Sequence, residues 1–175
     1  PLITLIGGKW TTYRVCGEQI ADAVMGQLGL TRHKSTQDLA IGGGKNFPRG
    51  SAQRLQFCQT MATDSGLDLA RCTILAERYG ADAVDFTMTD PTEIAGVTGY
   101  GRGEIALLCR QERVSKLQDI VLRRSLMCFE GALTAQGVTE LAKLMADIFG
   151  WNQDRTAAEL AETLGLLRGR HRMMM

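Results

Sequence analysis

The segment GGKWTTYR, residues 7–14, decides the fold prediction, because it joins a short apolar run to an amphipathic segment. The apolar run, residues 2–6, is predicted to be a strand. Residues 12–28 carry apolar side chains every three or four positions, which predicts a helix. Two glycines let backbone approach a ligand closely, and a helix N-terminus next to Lys9 favours an anion or an electron-rich ring edge. From the residues alone, such a ligand site and a plain turn capped by threonines are equally good interpretations.

The strand predicted over residues 2–6 needs partners for its N–H and C=O groups, and the rest of the sequence offers hardly any. We therefore expect it to be poorly ordered or to pair with another chain. Residues 31–50 contain three consecutive glycines and Pro48 with little periodicity, so they are predicted to be a connection.

The remainder is predicted to be an all-helical bundle of five to seven short helices. Glycines at positions 80 and 150 are placed to end two of them, Asn152 is placed to begin the last, and Ser115 with Gln118 forms a capping-box pattern. The predicted helices cover residues 51–62, 67–79, 81–86, 103–113, 115–122, 134–149 and 154–164.

Composition excludes several classes of protein. The net charge of the 175 residues is +1, which lacks the basic excess of a nucleic-acid binder. No apolar run approaches the ~20 residues that cross a bilayer, and no signal peptide is visible. The five cysteines form no C-x-x-C pair and the two histidines, His33 and His171, are isolated, so we expect free thiols in a reducing cytoplasm and no metal site.

Three further patterns resemble functional motifs. Residues 41–46, IGGGKN, lack the spacing and the Ser or Thr of a phosphate-binding P-loop, so a flexible turn is predicted. The alternating glycines at 99, 101 and 103 are interpreted as a loop before a helix, without a preceding strand. Arg123 and Arg124 could bind a phosphate, but nearby carboxylates at 104, 112 and 119 favour ion pairs between helices. Phe57, Met127 and Phe149 are predicted to be core residues.

Three strings together resemble FAD-dependent glycerol-3-phosphate dehydrogenases and α-glycerophosphate oxidases. They are GGKWTTYR at 7–14, AERYG at 76–80 and GEIALLCRQERVSKLQDIVLRRS at 103–125, and their order and spacing fit over essentially the whole chain. Ser125 stands where the family usually has threonine. The family's Rossmann segment with its G-x-G-x-x-G, and most of its substrate domain, do not occur in this sequence.

The resemblance implies a mainly α fold: a helical-bundle C-terminal domain preceded by one strand left over from a flavin-binding α/β domain. Residues 1–30 would be the last strand and helix of the FAD-binding domain and 31–50 the connection. Residues 51–170 would be the helical C-terminal domain and 171–175 a tail.

The activity implied for the intact protein is oxidation of sn-glycerol 3-phosphate to dihydroxyacetone phosphate, with hydride passing to FAD. No catalytic residue is expected in this piece. Lys9 would face the flavin's pyrimidine edge or the substrate phosphate. The residues expected to contact the cofactor are Gly7, Gly8, Lys9, Thr11 and Thr12. The chain alone should retain no FAD and be inactive, because half a site binds weakly.

The partners implied are the upstream FAD and substrate domain of the same protein, glycerol 3-phosphate, and a quinone or another electron acceptor such as dioxygen. A homodimer and a peripheral membrane contact stay open, with a cytoplasmic location that could include the inner face of the membrane. Two alternatives also stay open. One is a non-enzymatic helical module that binds a protein or a membrane, and the other is the same flavin fold acting on another polyol phosphate or hydroxy acid.

Overall fold

The chain divides into two compact units, one ending at Asn46 and the other beginning at Phe47, in a computed structural model that describes residues 2–6 and 9–174. In the first unit a 3-10 turn, Trp10–Thr12, leads into helix α1 (Tyr13–Gln27). Gly29 follows with φ of 70°, a backbone conformation that favours glycine. The helix predicted over residues 12–28 is confirmed.

The strand predicted over residues 2–6 is not formed. This segment has no regular secondary structure and most of its residues are exposed. The described part of the first unit contains no strand, so the N–H and C=O groups of residues 2–6 have no strand with which to form a sheet. A second 3-10 turn, Gly42–Gly44, lies where the flexible turn was predicted.

The second unit is a bundle of seven helices with one small hairpin, within the residues described, and the prediction of a mainly α fold is confirmed. Its helices are α2 (Ser51–Ser65), α3 (Leu69–Tyr79), α4 (Ala83–Thr87), α5 (Arg102–Gln111), α6 (Leu117–Leu122), α7 (Ala135–Phe149) and α8 (Gln153–Gly169). The antiparallel hairpin is formed by strands β1 (Glu93–Ile94) and β2 (Val97–Gly101).

Local capping determines several helix ends. The side chains of Asp68, Thr134 and Asn152 accept backbone N–H groups at the starts of α3, α7 and α8. Gly150 ends α7 in the left-handed conformation, and Gly80 follows the last residue of α3. The predicted ends at both glycines and the predicted cap at 152 are confirmed.

Two local predictions are wrong. The glycines at 99 and 101 belong to strand β2, which directly precedes α5, so a strand does precede this helix.

The capping box of α6 lies one residue later than predicted. Its N-cap is Lys116, whose N–H donates to the Asp119 carboxylate at 2.9 Å, because an aspartate at the third helical position reaches back better than Gln118 at the second.

The core is formed mainly by α3, α5, α6 and α7, with residues from the hairpin. Its largest fully buried side chains include Tyr100, Leu75, Ile105, Leu117, Ile120, Met127, Leu141 and Met145. Met127 is therefore a core residue as predicted, Phe57 is partly buried, and the prediction for Phe149 is wrong, because its side chain is 37% exposed at the end of α7.

The hairpin packs against the start of α7 at two glycines. Gly96 has φ of 78°, and its carbonyl oxygen accepts the Thr134 N–H at 2.9 Å. A Cβ on Gly137 would overlap this same carbonyl, so only glycine fits. None of the helices in the described part of the chain has the length and apolar character needed to span a bilayer.

Candidate functional site

The turn predicted to bind a ligand begins α1 with three exposed residues, Lys9, Thr11 and Thr12. The Thr12 hydroxyl donates to the Lys9 carbonyl oxygen at 3.0 Å, and the Thr12 N–H donates to the same oxygen at 3.0 Å. Thr12 therefore closes the turn. The Lys9 ammonium makes no ion pair within the described residues. Gly7 and Gly8 lie outside the described residues.

Charged side chains at four-residue spacing on α1 hold the segment that follows the helix. Arg32 bridges two of them, with its Nε 2.7 Å from the Asp22 carboxylate and its Nη2 3.4 Å from that of Glu18. Glu18 also accepts the Thr36 N–H and, at 2.8 Å, the Thr36 hydroxyl, and Arg14 donates to the Thr36 carbonyl oxygen. The hydrogen bonds from Thr36 lower the pKa of Glu18. These contacts use only the charged side of α1.

In the second unit, a buried carboxylate accepts hydrogen bonds from donors on two elements, α3 and β2. Glu104, in the first turn of α5, is 1% exposed. It accepts the Tyr79 hydroxyl at 2.6 Å, Arg78 Nη1 at 3.1 Å, the Gly101 N–H at 3.4 Å and Arg71 Nη2. We call these five residues the Glu104 cluster.

The two arginines of the Glu104 cluster also bind the hairpin. Arg71 and Arg78 both donate to the Gly99 carbonyl oxygen, at 2.6 and 2.7 Å. The Arg78 guanidinium lies 3.7 Å from the centroid of the Tyr100 ring, and its Nη2 lies 3.6 Å from the Glu130 carboxylate. The arginines thereby fasten α3 to β2 and α5.

The chemistry of the Glu104 cluster is structural. Burial, followed by the negative charge of Glu104, raises the pKa of Tyr79 well above its ordinary value, so the phenol remains a hydrogen-bond donor. Both oxygens of Glu104 are occupied by donors from the protein itself. Because a buried charge is tolerated only when it is paired and hydrogen-bonded, these contacts account for the carboxylate without any ligand.

The double arginine at the end of α6 forms two ion pairs, of which only that of Arg124 joins neighbouring helices as predicted, while that of Arg123 lies within α6. Arg123 Nη1 lies 2.7 Å from the Asp119 carboxylate. Arg124 Nε donates to the Glu112 carbonyl oxygen at 2.7 Å and lies 3.9 Å from the Glu112 carboxylate. The third carboxylate considered for this role, Glu104, instead pairs with the arginines of α3.

Two carboxylates cap the N-terminus of α6. Asp119 accepts the N–H groups of Ser115 and Lys116 at 3.0 and 2.9 Å, and Glu159 of α8 accepts the Leu117 N–H at 2.9 Å. Partial burial acts to raise the pKa of Asp119, but the hydrogen bonds outweigh it and the net pKa is lowered. The described residues contain no group of three or more His, Cys, Asp or Glu that could hold a metal ion.

Comparison with known proteins identifies the family. The family model described as the C-terminal domain of alpha-glycerophosphate oxidase matches residues 34–156 of the chain. The chain belongs to this family. The resemblance drawn from the three sequence strings is therefore confirmed, and two of those strings meet in space, since Arg78 and Tyr79 of the second contact Glu104 of the third.

The relatives that match this chain are named glycerol-3-phosphate dehydrogenases. The mitochondrial enzyme of Arabidopsis thaliana is 28% identical over 91% of this chain and 28% of its own length. Glycerol-3-phosphate dehydrogenase 2 of Mycobacterium tuberculosis is 28% identical over 91% of this chain and 27% of its own length. The mitochondrial enzyme of Mus musculus is 27% identical over 91% of this chain and 23% of its own length. The chain thus spans roughly a quarter of the length of these relatives.

Proposed function

We propose that the chain works as the C-terminal part of an FAD-dependent glycerol-3-phosphate dehydrogenase, which oxidises sn-glycerol 3-phosphate to dihydroxyacetone phosphate. The observation that carries the proposal is the match of 91% of the chain to proteins named for this activity. In this proposal residues 1–30 complete a flavin domain, residues 51–170 form the helical C-terminal domain, and a quinone or another acceptor such as dioxygen reoxidises the cofactor.

The chemistry of the N-terminal turn fits one edge of a flavin and glycerol-phosphate site. FAD, when bound, would supply the hydride acceptor. Lys9 would bind an anionic group, because it is exposed and has no carboxylate partner within the described residues. Thr11 would donate to the same group, while Thr12 shapes the turn through its bonds to the Lys9 backbone. Gly7 and Gly8 would allow the close backbone approach.

The exposed surface of α1 supports packing against an upstream domain. No residue of α1 is buried. Tyr13, Cys16, Ile20 and Val24 share one side of the helix, opposite the charged side chains at 14, 18 and 22. Tyr13 is 50% exposed and Val24 is 40% exposed. We propose that the flavin domain of the intact protein covers this apolar side, because covering it removes apolar surface from water.

The experiment that tests the proposal joins the chain to the upstream region of its full-length protein and measures dye reduction driven by glycerol 3-phosphate. The full-length protein should be yellow and active, whereas the 175-residue chain alone should retain no FAD and reduce no dye. If the full-length protein is a flavoprotein that oxidises a different polyol phosphate or a hydroxy acid, the substrate named in this proposal is wrong. A full-length protein without flavin or activity would instead favour the helical interaction module.

Lys9→Ala in the full-length protein tests the role of the turn. Losing a charged hydrogen bond costs about 1.5–3 kcal/mol, so kcat/KM for glycerol 3-phosphate should fall about tenfold or more. Lys34→Ala is the matched control, because Lys34 is also exposed in the first unit. Unchanged kinetics and an unchanged flavin spectrum in Lys9→Ala would show that Lys9 does not have this role.

A further inference from the structure

A shallow cavity of about 550 Å3, open to solvent, lies in the second unit where α7 ends and α8 begins. Neither the Glu104 cluster nor the N-terminal turn contributes to it. Its main lining residues are Val114, Ser115, Phe149, Trp151, Asn152 and Arg155.

Hydrogen bonds hold the walls of this cavity in place. The backbone N–H of Trp151 donates to the Ala146 carbonyl oxygen at 3.0 Å, which fixes the backbone just after α7. The Asn152 carbonyl Oδ1 accepts the Arg155 N–H at 2.9 Å and caps α8. The Arg155 guanidinium then reaches the Ser115 carbonyl oxygen at 3.3 Å. The cavity is therefore formed before any ligand arrives, which lowers the cost of binding.

The apolar part of the cavity is aromatic. The rings of Phe149 and Trp151 stack with centroids 5.7 Å apart and an angle of 21° between their planes. Phe149 is 37% exposed, although it is the last residue of α7, whose other apolar residues are mostly buried. The Arg155 guanidinium lies 5.1 Å from the centroid of the Trp151 ring. Such a surface favours a flat ring, which stacks on aromatic and guanidinium planes.

The polar atoms of the wall that have no partner among the described residues are donors of Arg155 and Asn152. Arg155 Nη2 donates to the Ser115 carbonyl oxygen and forms an ion pair with the Glu159 carboxylate at 3.3 Å, while Nε and Nη1 donate to no atom of the described residues. Asn152 uses its Oδ1 as the cap, and its Nδ2 likewise has no acceptor in the part of the chain described. Glu159 is buried and already accepts the Leu117 N–H. An acceptor-rich group such as a carboxylate matches this set, and arginine binds it with parallel hydrogen bonds.

We propose that this cavity binds a small aromatic anion, whose ring stacks against Phe149 and Trp151 and whose carboxylate accepts hydrogen bonds from Arg155 and Asn152. The proposal does not depend on the dehydrogenase activity, because every group it uses belongs to the second unit.

The test is a titration of the 175-residue chain with 2-naphthoate, followed by the NMR signals of the indole N–H groups. The chain contains two tryptophans, Trp10 and Trp151, and Trp10→Phe assigns the two signals. We expect a saturable shift of the Trp151 signal, with Trp10 unmoved. The neutral analogue 2-naphthamide should bind about tenfold or more weakly, since it loses the charge-assisted hydrogen bonds.

Two variants separate the contact from the fold. Arg155→Gln should weaken 2-naphthoate about tenfold or more, whereas the control Arg110→Gln, which removes the same charge from an exposed position of α5, should leave binding unchanged. Asn152→Ser keeps a residue that caps helices but lacks Nδ2, so it should weaken binding by severalfold even if Arg155→Gln does not fold. Equal affinity for the acid and the amide, equal shifts of both indoles, or no saturation would overturn the proposal.

Discussion

Replacing Glu104 by glutamine tests whether the Glu104 cluster fastens α3 to the hairpin and α5. Glutamine has nearly the same shape as glutamate but lacks the charge. Its NH2 group would face the donors that now bind the carboxylate. The side chains of the two arginines are only 18% and 15% exposed, so solvent compensates them poorly when the carboxylate is lost. The substitution therefore leaves Arg71 and Arg78 underpaired in place rather than creating a cavity.

The cost follows from the number and burial of these contacts. Removing one partner of a buried ion pair typically costs about 3–5 kcal/mol. Glutamine keeps one oxygen that can still accept from Tyr79 or an arginine, so we expect about 3 kcal/mol. Because domains are stable by about 5–15 kcal/mol, this loss is large enough to measure with confidence.

Urea unfolding of the whole chain measures this loss. In a Trp10→Phe background Trp151 is the remaining tryptophan, and its fluorescence then reports the second unit alone. The unfolding midpoint should fall while the slope with urea stays constant. Glu140→Gln is the control. Its partner Lys143 is 63% exposed, and exposed pairs contribute about 0–1 kcal/mol. If Glu104→Gln costs no more than Glu140→Gln, the structural role assigned to the cluster is wrong.

Three further predictions use the same unfolding assay. Gly137→Ala should destabilise the protein by about 2 kcal/mol or more, because its Cβ would overlap the Gly96 carbonyl oxygen, whereas Gly165→Ala, in open space within α8, should stabilise it by about 0.5–1 kcal/mol. Thr163→Val should be neutral or stabilising, because the buried Thr163 hydroxyl has no hydrogen-bond partner in the described residues; a clear loss would reveal a partner. Asp119→Asn should cost about 1 kcal/mol at pH 7. Since the folded pKa of Asp119 is lowered from 3.8, this difference should vanish as the pH falls through the folded pKa, and a difference that persists would contradict the capping role of its charge.

The helices could be predicted from the sequence because their signals are local. Apolar periodicity sets the position of α7, and Thr134 and Gly150 mark its two ends within the same stretch of chain. The start of α8 depends on one side chain, Asn152, bonded three residues ahead. Such interactions are short in sequence, so a pattern can reveal them.

The hairpin and the Glu104 cluster could not be predicted, because they depend on contacts between distant residues. Strand β1 has only two residues, too few to show alternation. Arg71 lies 33 residues before its partner Glu104, and Arg78 lies 26 residues before it. Their seven-residue spacing places both arginines on one side of α3, but nothing local identifies the carboxylate they meet.

The three strings that carried the family resemblance differ in what they can say about function. The second and third meet at the Glu104 cluster, where every oxygen of the carboxylate is already bonded to the protein. They therefore report on packing, and their match supports the fold without identifying a reaction. The first string contains Lys9, an exposed cation that has no ion-pair partner in the residues described. A charge left unpaired beside a helix start is available to a ligand, so the proposed chemistry depends on this turn. Lys9→Ala therefore tests that chemistry, whereas substitutions in the helical domain test only the fold.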